Sequence, residues 1–161
     1  MVDYSRKLND CKDFDSVFEV VKHTAESVIH RHRAGLTLSL ARLPLHTGAY
    51  FAGTNLIVLN QSLLEVVKAR AKDIGEVNAF VYHVLLHEYL HSLGFYNERK
   101  VRQLVKYISE TVLAQNPRVL KLARGDIWLI YPELRTMTSY AEANKFEVVR
   151  DFDKSSTPYY G

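Results

Sequence analysis

"YHVLLHEYLHSLGFYNE", residues 82–98, is the stretch on which the reading of this chain turns. From Glu76 to Leu93 apolar residues point almost all round a helix: Val77, Phe80, Val81, Val84, Leu85, Leu86, Leu90 and Leu93. A helix of that kind is covered on several sides. Gly94 stops it, because glycine takes the left-handed conformation at a helix C-terminus without steric cost. Asn97 then caps a second helix, "ERKVRQLVKYISETVLAQ" (98–115), which closes at "NPR".

The buried helix carries His87 and His91 four residues apart, with Glu88 between them. At about 3.6 residues per turn the two imidazoles project from nearly one face, one turn apart. Both can reach a single ion at the ~2.0–2.1 Å of a zinc–nitrogen bond. Glu88 is rotated off that direction and faces a metal-activated water instead. It can accept a proton as the water attacks a carbonyl and return it to the leaving amine. Ionisable groups on so apolar a helix are costly unless paired or liganded, which favours a metal site over two structural histidines.

A third ligand is needed, and Glu98 and Glu110 are the candidates downstream. Asn97, six residues after His91, is a poor zinc ligand. A connection as short as "GFYN" makes the two helices antiparallel and sets Glu98 level with His91. Glu110 would lie ~18 Å farther along. Glu98 is therefore the expected ligand, although a glutamate in the first helical turn also suits the helix dipole. His83, four residues before His87, can be a fourth ligand, a donor to the reacting carbonyl or a core histidine, and the last is favoured. Arg102, four after Glu98, can hold that carboxylate or form an ordinary exposed pair.

Around this centre the chain reads as one domain of 161 residues, its core over about 13–140 and a loose tail over about 142–161. Its 21 basic residues are scattered, and "HRHR" (30–33) reads as a solvated helix end, so no nucleic-acid partner is expected. Cys11 is the sole cysteine, so no internal disulfide forms and any metal must use His, Glu and Asp. The polar N-terminus and the lack of a long apolar run argue against a signal peptide or membrane span, and a cytoplasmic location is expected.

Residues 13–33 repeat apolar positions at helical spacing. "AGLTLSLARL" (34–43) alternates Leu36, Leu38 and Leu40 as in a half-buried strand. "AYFAG" and "TNLIVLN" are two further strands with Gly53 and Asn55 between them. "QSLLEVVKARAKD" (61–73) is a helix ended by Gly75. Residues 119–161 are less regular, with "GDIWLIYPEL" packing back on the body. The fold class is α+β, with a small, mostly antiparallel sheet packed on an N-terminal helix.

With "HEYLH" (87–91), Glu98 on a following helix and "GAYFAGTNLIVLN" before them, the chain resembles zincin metallopeptidases of the gluzincin kind. It is most similar to minigluzincins, small archaeal and bacterial peptidases, over roughly residues 13–115. The resemblance implies a zinc-dependent peptidase acting on peptide or protein substrates, with zinc on His87, His91 and Glu98 and Glu88 as base and acid. It also implies that a strand before the active-site helix is an edge strand binding extended substrate by backbone pairing. Many gluzincins have an acidic residue four after the ligand glutamate, where this chain has Arg102. Candidates for stabilising the transition state are His83, Arg102 and Tyr131, with Tyr96 and Tyr140 as further tyrosines. Minigluzincins can be latent, with a C-terminal segment over the cleft, and residues after Trp128 are placed to do that. The alternative to an active enzyme is a zinc-binding regulatory or latent protein with a peptidase-like site and no turnover.

Overall fold

The computed structural model describes residues 2–44, 47–125, 130–131, 147–150 and 152–153. Along the chain come α1 (Tyr4–Asn9), α2 (Phe14–Ile29), β1 (Thr37–Ala41), β2 (Ala49–Ala52), β3 (Leu56–Asn60) and α3 (Gln61–Arg70). They are followed by α4 (Ile74–Ser92), α5 (Glu98–Val112), α6 (Pro117–Ala123) and β4 (Glu147–Val148). The class is α+β, as the sequence implies. Among the described residues no helix is long and apolar enough to cross a membrane.

Side-chain caps set where the helices begin. The Asp13 carboxylate accepts from the Ser16 N–H at 2.7 Å, and the Ser16 hydroxyl completes the reciprocal box at the start of α2. Asp73 caps α4, and Asn97 accepts from the Lys100 N–H at 3.0 Å to start α5, as expected. Gly75 lies in the first turn of α4 and does not end α3, which stops at Arg70. A Cβ at Gly75 would come within 3.1 Å of both the Arg118 guanidinium and the Asn9 side chain, so its smallness serves close packing. Similarly, α2 ends at Ile29, with His30 left-handed at φ 56°, short of the Arg33 expected.

α4 is the axis of the molecule. It packs against α1, α2, α3, α5 and α6 and against β2 and β3. Phe80, Tyr82, Leu85, Leu86, Tyr89 and Leu90 are fully buried, consistent with apolar residues on every face. Truncating one of these leucines to alanine would cost about 2–5 kcal/mol.

The sheet order is β2-β3-β1-β4. β2 pairs antiparallel with β3, and β4 antiparallel with β1, but β1 and β3 are parallel along their whole length, Thr37 opposite Leu56 through Ala41 opposite Asn60. Two of these three pairings are antiparallel, as the expected mostly antiparallel sheet requires, and the β1–β3 pair makes the sheet mixed. The β2–β3 hairpin reverses the chain, so β3 returns in the direction of β1 and lies beside it. β1 is also buried on both faces, Leu38, Ser39, Leu40 and Ala41 in succession, and is not half-buried.

The C-terminal region departs most from expectation. α6 forms at "PRVLKLA", started by Asn116 and by a proline in its first turn. Within the expected loose tail, β4 joins the sheet and Phe152 and Asp153 are buried. Asp153 holds the Lys22 ammonium at 2.5 Å and accepts from the Leu36 N–H at 2.9 Å. A buried charge pair with a further hydrogen bond keeps this segment on the body. Trp128, Tyr140 and the rest of the tail lie outside the described residues.

Candidate metal centre

His83, His87 and His91 follow one another along one face of α4, and the N-terminus of α5 lies opposite. Glu98 bridges the last two: its Oε2 is 3.0 Å from His87 Nε2 and its Oε1 is 2.6 Å from His91 Nε2. One donor atom from each of His87, His91 and Glu98 lies within 4.8 Å of the others. Glu110 is not part of the group; its carboxylate is 3.9 Å from Lys106. Glu98 pairs with the imidazoles and not with Arg102.

The turn after α4 sets the outer imidazole. Gly94 has φ 104°, its N–H reaches the His91 carbonyl at 3.0 Å, and the Phe95 N–H reaches the Leu90 carbonyl at 3.2 Å. This pair of bonds is the Schellman arrangement. It swings the Phe95 carbonyl back to 2.8 Å from His91 Nδ1. Two residues of the supposed solvated cluster secure the same turn. Arg33 donates to the Ser92 carbonyl at 2.9 Å, and the Arg31 guanidinium lies 4.8 Å from the centre of the Phe95 ring. Sequence reading missed this support, since nothing local in "HRHR" indicates the turn that it meets.

Electrostatics follow from burial. The His87 pKa is lowered, chiefly by desolvation, although the Glu98 charge pulls the other way. Burial alone would raise the Glu98 carboxyl, but the two imidazoles outweigh it and hold Glu98 below its usual range. Glu88 is only 6% exposed, and burial, with the Glu98 charge next, pushes it up to about 8. A weak hydrogen bond from the Phe51 backbone N–H opposes that rise. His83 falls to about 4 through burial and then through His87, and its Nδ1 is a buried atom with no hydrogen-bond partner.

A cleft of about 1000 Å³ opens over these groups, lined by β2 on one side and α5 on the other. Among the described residues β2 is an edge strand. The Asn60 N–H bonds the Gly48 carbonyl at 2.9 Å, which sets the alternation of the antiparallel ladder. Tyr50 and Ala52 then face β3, and the main-chain groups of Ala49 and Phe51 face outward. Asn60 also ties down the entrance to β2, donating to the Pro44 and Thr47 carbonyls. Tyr131 is not brought to the cleft. Its hydroxyl is 3.4 Å from the Glu76 carboxylate and lines a separate cavity. Tyr96 lines the cleft but is 81% exposed.

The chain matches no family model, and no curated protein or solved structure is significantly similar to it. What the site can do follows from its own atoms.

Two imidazole nitrogens and a carboxylate oxygen are a donor set that suits zinc and other borderline divalent ions. The chemistry of the group also asks for a cation. A carbonyl only accepts, so His91 Nδ1 carries a proton, and Nε2 is the nitrogen that faces Glu98. Two electron-rich atoms 2.6 Å apart repel unless a proton or a metal lies between them. The outer bond of His91 to Phe95 is the kind that orients metal-ligating histidines.

Proposed function

We propose that this protein is a zinc-dependent peptidase of the zincin type, cleaving peptide bonds by attack of water. The observation that carries the reading is the convergence of His87, His91 and Glu98 beside a buried Glu88, next to the open edge of β2. His87, His91 and Glu98 would hold the ion. Zinc bound there supplies Lewis acidity and an activated water.

The chain's own residues do the rest. An extended peptide pairs with the outward main-chain groups of Ala49 and with the Phe51 carbonyl, which fixes its register across the cleft. Glu88, beside Phe51, takes a proton at its carboxylate and delivers it to the departing amine nitrogen. Glu88 lies buried beside the cleft, so little solvent competes for the proton that it takes up and returns. The apolar surroundings of α4 limit water around that exchange.

Metal analysis together with a peptide digest tests the reading. The expected result is about one zinc per chain, lost in His87→Ala, and cleavage that Glu88→Gln abolishes while zinc is retained. A wild-type protein that holds zinc and cuts no peptide would be a zinc-binding protein without turnover. A protein that takes up no metal would refute both.

A further inference from the structure

Among the described residues, four cations line the cleft that holds the metal-site residues: Arg99, Arg102 and Lys106 on α5, and Arg124 at the end of α6. Spacings of three and four residues put the first three along one side of α5. Lys106 pairs with Glu110 at 3.9 Å. Among the described residues, Arg99, Arg102 and Arg124 have no carboxylate within 4.0 Å. Among the described residues, the acidic ones lining the cleft are Glu88 and Glu98, and both belong to the proposed metal site. Opposite the cations runs the open edge of β2.

We infer that the cleft selects peptides bearing a carboxylate next to the scissile bond, with Arg102 as its principal partner and Arg99 and Arg124 beside it. The inference rests on the peptidase reading and names its substrate class. Arg102 lies one helical turn from Glu98, about 6 Å along α5. It is near enough to His87 for its charge to lower that imidazole's proton affinity. A peptide residue spans at most about 3.6 Å, so a carboxylate on Arg102 belongs one or two residues from the bond held over the metal site. A guanidinium grips a carboxylate by two parallel hydrogen bonds, which gives direction as well as charge. Either an acidic side chain or the free C-terminus supplies that chemistry. The strand edge on the facing wall favours a peptide over a nucleic acid, which has no main-chain ladder to offer it.

The test measures binding apart from turnover. The zinc-loaded full chain carrying Glu88→Gln is titrated against labelled octapeptides that differ by one Glu/Gln exchange, each as free acid and as amide. The expected result is about tenfold tighter binding of the Glu peptide over its Gln partner, or of the acid over the amide. Whichever pair responds identifies the source of the carboxylate. Arg102→Gln should erase the gap while its zinc content stays near that of the parent. Equal affinity for all four peptides overturns the inference, as does loss of zinc from Arg102→Gln, which would make Arg102 a support for Glu98. Equal peptide affinities with tight, salt-sensitive binding of a single-stranded oligonucleotide would assign the arginines to nucleic acid and also overturn it. A carboxylate preference with no cleavage by wild type defeats only the peptidase reading; cleavage with no preference defeats only this inference.

Discussion

His91 Nδ1 lies 2.8 Å from the Phe95 carbonyl oxygen, so the chain itself dictates which nitrogen of His91 is left for a metal. That carbonyl is aimed by Gly94, at φ 104°. A Cβ there would meet nothing within 4 Å, so Gly94→Ala acts through the backbone alone. The expected cost is about 1 kcal/mol of stability and about tenfold in zinc affinity as the carbonyl swings away. Competition with a fluorescent chelator reads the second number. Unchanged affinity would show that His91 needs no such anchor.

Glu98 and Glu110 should separate cleanly in metal content. Glu98→Gln removes a charged donor and is expected to drop zinc from about one per chain to a small fraction after dialysis. Glu110→Gln touches only an exposed pair with Lys106 and should leave it unchanged. Metal loss in the second variant and not the first would reverse the assignment.

The metal-free protein should show opposed pH effects from two buried groups. Glu88 is raised from 4.5 to about 8, so its contribution is full below pH 4.5 and is lost as pH rises to about 8. His83 is lowered from 6.5 to about 4, so its contribution is full above pH 6.5 and is lost as pH falls to about 4. The two slopes oppose one another between pH 4.5 and 6.5, leaving a net loss of about 2 kcal/mol from pH 6.5 to 8. Urea midpoints across that range should fall for the metal-free wild type and stay flat for Glu88→Gln. A flat wild-type curve would mean that the Glu88 carboxyl is solvated.

Asp153 should matter more than its place near the C-terminus suggests. Asp153→Ala takes the 2.5 Å carboxylate partner from the Lys22 ammonium, which keeps Glu19 at 3.0 Å, and removes the acceptor of the Leu36 N–H. A loss of about 3 kcal/mol is expected, with early proteolysis after Arg150. Replacing both partners, Lys22→Met with Asp153→Leu, should recover most of it. A single variant as stable as wild type would show that the C-terminal strand is held by other contacts.

Much of this centre was legible because it is local. "HEYLH" sets two imidazoles on one turn by helical geometry, and the brevity of "GFYN" places Glu98 beside them. Asn97 and Gly94 mark the ends of their helices by the same short-range rules. Long-range facts were not legible. The pairing of Lys22 with Asp153 joins positions 131 residues apart, and no periodicity in the tail announces it. The parallel run of β1 against β3 depends on where the hairpin folds back, and alternation of leucines does not encode that choice. Gly75 misled because a glycine between two helices looks like a stop, when here it admits the Arg118 side chain. Tyr131 was suggested by residue type, and the fold places it near Glu76, at the far end of α4.

The link between Glu88 and the Phe51 N–H also bears on how the protein behaves in a test tube. An exposed strand edge invites pairing with other chains. β2 is only four residues long, and one of its outward donors is already engaged by the buried carboxylate. Glu88 would then cover part of an edge that other chains could otherwise join. An inactive control made as Glu88→Ala would free that donor and risk precipitating, whereas Glu88→Gln keeps an oxygen in place. The choice of substitution decides whether lost activity reports chemistry or merely an aggregated sample.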